Sequence, residues 1–276
     1  MPEIEPVNLS GVTETLLVTL YLRAMESQRP DALLKDEKAV ELVKQMSDDG
    51  LYDFSRMKLL HLNEANKMVI ILRNRQFDRY TRDFLERYPK AVVVHIGCGF
   101  DTRFERVDNG QVEWYDLDLP DTIEMRRQLI GDEGGRYHLL GCSVLEDIWL
   151  ESVSAHLQRP FLFVAEGVFM YLTEAQNKAL VQTLFSHFPG AELVFDAYSP
   201  IHNIVSNLQT ARFGFRSHWG IWHGQEIESW GEGTHLLDEW GYLDETGPRM
   251  VHVRWLRPIE TLFRTLRIYH FRLGEG

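Results

Sequence analysis

Two hydrophobic periodicities divide this chain near residue 90. Before it, apolar residues recur every three or four positions: Leu16, Leu17, Leu20 and Met25 within 13–27, then Ala39, Val40, Leu42 and Val43 in a stretch running through Met46. A third set, Met68, Val69, Leu72, Phe77, Tyr80, Phe84 and Leu85, spans 63–88. That spacing gathers one apolar stripe per helix. Arg29-Pro30, the turn DDGLYD at 48–53 and Pro89 punctuate the three, and Asp36 is placed to cap the second. Residues 1–89 therefore predict a helical cap that belongs to the same folded unit as the rest.

Beyond residue 90 the chain reads as short strands, 91–96, 112–117, 137–142, 161–165 and 192–198, of which 91–96 and 161–165 are continuous apolar runs. Such runs mark strands buried on both faces of a parallel sheet. Helical stretches alternate with them. Phe104 and Val107 suit one, Pro120-Asp121 with Glu124 gives a start like a capping box for another that Gly131 ends, Ile148, Trp149 and Val153 face one side of 145–157, and Thr173 with Gln176 caps a helix through His187. Pro258 opens a short helix, and 265–273 alternates as a last strand. Between Pro200 and Gly247 the pattern dissolves into aromatics, among them Phe213, Phe215, Trp219, Trp222, Trp230 and Trp240. This stretch predicts a lid insertion, and substrate walls and irregular packing both want such rings.

The class is thus α/β, with a sheet domain over 90–276 and a lid near 200–247. Composition narrows the partners: a formal charge of −12 without a basic stripe argues against nucleic acid. No apolar run reaches membrane-spanning length, the start lacks the basic and apolar regions of a signal peptide, and the two cysteines make no disulfide framework, so a cytoplasmic protein is expected. His202, His218, His223 and His235 have no metal-ligand spacing, and no metal is expected.

The chemistry concentrates where the first strand ends. Gly97-Cys98-Gly99 breaks it in a turn that lets a ligand approach the main chain. Asp116 and Asp118 follow about twenty residues later, the distance at which an acid reaches ribose hydroxyls in nucleotide-binding folds. The third glycine of a dinucleotide turn is replaced by Thr102, and the neighbouring Asp101 would repel a pyrophosphate. A nucleoside without phosphates is favoured, of which S-adenosylmethionine is the common one. Arg73, on a helix leading back into the first strand, can grip a carboxylate bidentately. Glu166, at the end of 161–165, stands where ligands of open parallel sheets collect.

With these residues in view, the chain resembles the leucine carboxyl methyltransferase family, especially its bacterial branch similar to polyketide O-methyltransferases. The likeness rests on LRAMESQRPDALLKDEKA, ILRNRQFD, HIGCGFDTRFER, WYDLDLP, AEGVFMYLT and LVFDAY. It implies a class I, Rossmann-like methyltransferase fold, a mostly parallel seven-stranded sheet whose last strand is antiparallel, with S-adenosyl-L-methionine as donor and S-adenosyl-L-homocysteine as product. By position, it implies that Arg73 holds the methionine carboxylate, that Arg23 is a basic residue at the site entrance, and that Gly97 and Gly99 lie under the methionine part. Asp118 would be the ribose-binding acid with Asp116 beside it, and Glu166 and Tyr171 site residues. Where the family often has an aspartate-leucine pair beside the adenine, this chain has Ser143-Val144, whose hydroxyl can still accept from the adenine amine without the assistance of a charge.

Methyl transfer from a sulfonium to oxygen is an in-line displacement in which alignment can supply roughly 7–11 kcal/mol. A carboxylate acceptor needs no base, whereas a hydroxyl does. Tyr171, Glu166 or a histidine of 202–235 could supply one. The expected activity is O-methylation of a small molecule at a hydroxyl or carboxylate; a noncatalytic protein that binds the donor or its product, and a protein carboxyl methyltransferase, are the competing readings.

Overall fold

A computed structural model of the chain describes residues 11–55, 64–131, 134–210, 216–245, 247–251 and 254–274. Three helices come first: α1 (Gly11–Ser27), α2 (Glu37–Asp48) and α3 (Glu64–Arg87). Asp36 caps α2 as expected, its carboxylate accepting the Ala39 N–H at 2.9 Å. Strands and helices then alternate: β1 (Val92–Ile96), α4 (Arg103–Val107), β2 (Glu113–Asp118), α5 (Pro120–Ile130), β3 (Tyr137–Gly141), α6 (Ile148–Val153), β4 (Phe161–Ala165), α7 (Glu174–His187) and β5 (Ala191–Tyr198). The chain ends through α8 (Pro200–Thr210), α9 (Gln225–Glu228), β6 (Thr234–Gly241), α10 (Arg257–Phe263) and β7 (Leu266–Leu273).

The strands form one sheet in the order β3-β2-β1-β4-β5-β7-β6. β1 to β5 pair in parallel, and β7 lies antiparallel between β5 and β6. Alternation along each strand divides the core. Val92, Val94 and Ile96 face Trp149, Leu180 and Leu184, whereas Val93 faces Phe77, Phe84 and Trp114. A third apolar cluster joins α1 and α2 through Leu17, Leu20, Leu42 and Met46 to Phe100, just past the first glycine turn. The initial helices are thereby packed onto the carboxyl end of β1. Among the described residues no helix is long and apolar enough to cross a membrane.

Three readings of the sequence need correction. The stretch Pro200–Gly247 is not wholly a lid, because Thr234–Gly241 is the edge strand β6; with a neighbour on one side only and a bulge between Leu236 and Asp238, it lacks the unbroken apolar run of the inner strands. Trp219 and Trp230 are core residues, packed 5.8 Å apart beside Phe195, and Phe213 and Phe215 lie outside the described residues. The start of α5 has no side-chain cap: Leu119 is the N-cap with Pro120 in the first turn, so Asp121 lies inside the helix. At α7 the box between Thr173 and Gln176 is formed in both directions.

Candidate active site

Sheet register builds the site. Ile96 is level with Leu117 and Ala165, Leu117 with Leu140, and Ala165 with Phe195. One step further along each strand stand Gly97, Asp118, Gly141, Glu166 and Asp196. These residues share the carboxyl edge, and the strand order reverses between β1 and β4, the switch point at which open α/β sheets bind ligands.

At the switch point three glycines take left-handed backbone angles: Gly97 at φ 65°, Gly99 at 49° and Gly167 at 71°. A Cβ on Gly97 would come within 2.4 Å of the Val168 side chain, and one on Gly99 within 2.7 Å of Leu16. The turn after β1 is therefore packed directly against the Val168 side chain of the turn after β4 and the Leu16 side chain of α1. Asp118 fixes the first turn from the neighbouring strand, its carboxylate accepting the N–H groups of Gly99 at 2.8 Å and Leu119 at 2.7 Å. Burial raises its pKa above the ordinary aspartate value, against the pull of those two donors. Beside it, Ser143 and Val144 lie in a small turn after β3: the Ser143 hydroxyl accepts the Leu145 N–H at 3.2 Å, and the Val144 carbonyl accepts the Trp149 indole N–H at 3.2 Å.

On the β4 side, Arg73 of α3 reaches two strand ends at once. Its Nε donates to Glu166 at 2.8 Å and its Nη1 to Asp196 at 3.2 Å. Burial opposes its charge, and these carboxylates more than offset this, so its pKa is raised. Nη2 has no partner among the described residues and lies about as close to Gly167, whose Cβ would sit 4.0 Å away. Glu166 also accepts from Asn74 at 3.0 Å and from Arg103 at 2.6 Å. With three donors on its two oxygens it is an anchor for Arg73, which weighs against its use as a base. Tyr171 keeps 44% of its surface exposed, and partial desolvation of its hydroxyl with Tyr198 and Asp196 nearby, against the pull of Arg73, pushes its pKa up to about 12, so it holds its proton at neutral pH.

Three expected residues stand elsewhere. Arg23 is not at an entrance: only 2% exposed, it donates to Asp36 at 2.9 Å and to the Phe100 carbonyl at 2.7 Å beneath the turn. Asp116 is fully buried and turned inward, accepting from the Trp114 indole, Arg126 and Tyr137 at 2.8, 2.5 and 2.6 Å, with the His95 imidazole 3.2 Å away. It holds the interior together and presents no oxygen to a ribose. Asp101 also faces inward, 3.0 Å from Arg103 and 2.8 Å from Arg106. Burial works against its charge, yet those guanidiniums hold it well below the usual aspartate range. Its charge is already matched, so repulsion of a pyrophosphate by Asp101 does not operate as the sequence suggested.

The sequence reading also missed residues. Asp196 joins Arg73 and accepts the Gly167 N–H at 2.6 Å; an acid inside an otherwise apolar strand was the available signal. Arg103, Arg106 and Asp78 complete a buried chain of alternating charge: Asp36 to Arg106 at 2.8 Å, Arg106 to Asp78 at 2.7 Å, Asp78 to Arg103 at 2.9 Å, then Glu166, Arg73 and Asp196. Nothing in their spacing separates these charges from a solvated helix face. Among the described residues no group of three His, Cys, Asp or Glu converges as metal ligands.

The donor set suits a nucleoside with an amino-acid tail: an acid at β2 for hydroxyl groups, an open guanidinium edge at β4, and between them glycines with no room for a side chain. The family model for leucine carboxyl methyltransferase matches residues 16–185. Over 247 residues the chain is 35% identical to the tetracenomycin polyketide synthesis O-methyltransferase TcmP of Streptomyces glaucescens, covering 87% of this chain and 86% of that one. It is 32% identical over 239 residues to the S-adenosyl-L-methionine-dependent methyltransferase dpfgK of Gibberella zeae, covering 81% and 80%. In fold it is similar to a DUF574 family protein from Streptomyces avermitilis, with a TM-score of 0.60 at 12% identity over 94% of this chain and 96% of that one.

Proposed function

The chain belongs to the leucine carboxyl methyltransferase family, and from that premise we propose an S-adenosylmethionine-dependent O-methyltransferase whose acceptor is a small molecule. The observation that carries the site assignment is the doubly anchored Arg73, held by Glu166 and Asp196 at the switch point with one guanidinium edge left over. In this reading that edge takes the methionine carboxylate, Asp118 accepts the ribose hydroxyls, the turn at Gly97 and Gly99 lies under the amino-acid tail, and Ser143 and Val144 flank the adenine. When bound, the donor supplies an electrophilic methyl on a sulfonium. The chain's own part is positioning, because aligned reactants need no covalent protein nucleophile.

A small acceptor is favoured over a protein tail by the relative named for polyketide synthesis, which covers most of the chain. The excess of acidic residues, 41 against 29 basic, disfavours nucleic acid, and the free cysteines Cys98 and Cys142 suit the cytoplasm. Incubation with methyl-labelled S-adenosylmethionine and either a small-molecule extract or total cell protein tests the reading. Label is expected in an organic-soluble ether or ester. Label confined to protein would replace it with protein methylation, and tight binding of S-adenosylhomocysteine without any transfer would make the protein a noncatalytic binder.

A further inference from the structure

A guanidinium offers a carboxylate two forks, Nε with Nη2 along its side and Nη1 with Nη2 across its end, and closing either one uses Nη2. Elsewhere in this molecule such forks close. Asp31 takes Arg29 through Nε and Nη2 at 2.9 and 3.2 Å, and Glu192 takes Arg87 through Nη1 and Nη2 at 2.7 Å each. At Arg73 they do not: Glu166 meets Nε and Asp196 meets Nη1, each with a single oxygen, and both forks stay open at the shared Nη2.

We propose that Arg103 keeps Nη2 of Arg73 available by holding the far oxygen of Glu166, and that it thereby sets the affinity for the donor's carboxylate. This rests on the reading above in which that carboxylate meets Arg73. Oε1 of Glu166 accepts from Arg73 and Asn74 at 2.8 and 3.0 Å, whereas Oε2 accepts from Nη2 of Arg103 at 2.6 Å. Arg103 is itself fixed on several sides. Fully buried as the first residue of α4, it donates through Nε to Asp78 at 2.9 Å and lies 3.0 Å from Asp101. His95 Nε2 stands 3.2 Å from its Nη1, and the guanidinium rests 5.3 Å over the centre of the Phe77 ring. Swinging Oε2 toward Arg73 would forfeit the short charged bond to this anchored group.

The main chain restrains the other carboxylate in the same way. Oδ1 of Asp196 accepts the Gly167 N–H at 2.6 Å, which leaves Oδ2 for Arg73. Of the two restraints, the one on Glu166 is made by a side chain and can be removed by substitution. Without it the side fork closes, Nη2 is spent inside the protein, and a ligand carboxylate has to compete with an internal one. Arg103 is thus a positioning residue, acting through Glu166 and not on the ligand.

The test compares S-adenosylhomocysteine with its decarboxylated form, S-adenosyl-3-thiopropylamine, by calorimetry on the whole chain. The two ligands share nucleoside, sulfur and amine, so their affinity ratio isolates the carboxylate. In wild type the ratio should be about 10 or more, the worth of a charged hydrogen bond. Arg103→Met should bring it close to unity. Arg103→Met/Glu166→Gln should restore the wild-type ratio, because a glutamine has one acceptor oxygen and cannot close the fork. A purely structural arginine would give the opposite, the second substitution only adding damage. Asp78 and Asp101 keep Arg106 in these variants, at 2.7 and 2.8 Å. If Arg103→Met does not fold, the charge-balanced Arg103→Met/Asp101→Asn replaces it with the same expected ratio. A wild-type ratio retained without Arg103, or no recovery on adding Glu166→Gln, would overturn the role of Arg103 and leave the donor site standing. A ratio near unity in wild type would overturn the grip of Arg73 on the donor carboxylate, and the role of Arg103 with it.

Discussion

Replacing Arg73 by lysine tests the donor grip without emptying it of charge. The guanidinium spends Nε on Glu166 and Nη1 on Asp196, and the proposed role needs a third nitrogen free for the ligand. An ammonium keeps the positive charge beside both carboxylates, but as a single centre it cannot hold them and also present a planar edge. The loss is that of one charged hydrogen bond, about 1.5–3 kcal/mol, or roughly 10- to 150-fold in affinity for S-adenosylhomocysteine. Alanine at the same position is a harsher change. It leaves Asp196, fully buried, without its cation, and breaking such a pair costs about 3–5 kcal/mol of stability. Calorimetric titration and urea denaturation of both variants separate the two effects. The sharper control is 5′-methylthioadenosine, which has the nucleoside but no carboxylate, and its affinity should be the same for wild type and Arg73→Lys. The reasoning fails if Arg73→Lys binds S-adenosylhomocysteine as wild type does, or if the two ligands weaken equally.

Two further outcomes follow from the geometry. Gly97→Ala should destabilise the protein by about 2 kcal/mol or more, since it places a side chain at φ 65° and a Cβ 2.4 Å from Val168; adding Val168→Ala should recover the contact share but not the backbone share, as read by denaturation midpoints. Away from the site, Glu192 is bonded by both Arg87 nitrogens and by His270 at 2.7 Å each, and although burial opposes it these partners lower its pKa from 4.5 to about 2. A depressed carboxylate stabilises the fold above the unfolded pKa and loses that effect as pH falls through the folded one. Glu192→Gln should therefore cost about 2 kcal/mol at pH 7, allowing for the partial exposure of Arg87, with the gap to wild type closing between pH 4.5 and 2 and donor binding unaffected.

The legible parts of the fold are those where one residue pattern has one physical solution. A run such as Ala91–Ile96 can only be a strand covered on both faces, and Asp36 and Thr173 cap as their spacing requires. Edge strand β6 was hidden because THLLDEWG meets solvent, bulges, and alternates imperfectly. In the site, the positions at strand ends were readable: Gly97, Asp118 and Glu166. Orientation was not. Asp116 and Asp118 differ by one step of alternation along the same face, yet Arg126 and Tyr137, contributed by later elements, claim Asp116. Arg23 went wrong for the same reason, since its partners Asp36 and Phe100 are brought to it only by tertiary packing.

The buried chain of charges bears on how this molecule opens. Asp36 is the N-cap of α2, the partner of Arg23 on α1, the acceptor of the Thr102 hydroxyl at 2.7 Å, and the partner of Arg106 on α4. If any one of these helix ends frays alone, it leaves a charge behind in the interior, at a cost of several kcal/mol. Fraying is therefore replaced by a single concerted opening that exposes both members of each pair to water. Helix ends are ordinarily the first amides to exchange their hydrogen with solvent; here those of Ala39 and its neighbours around the glycine turn belong with the slowest.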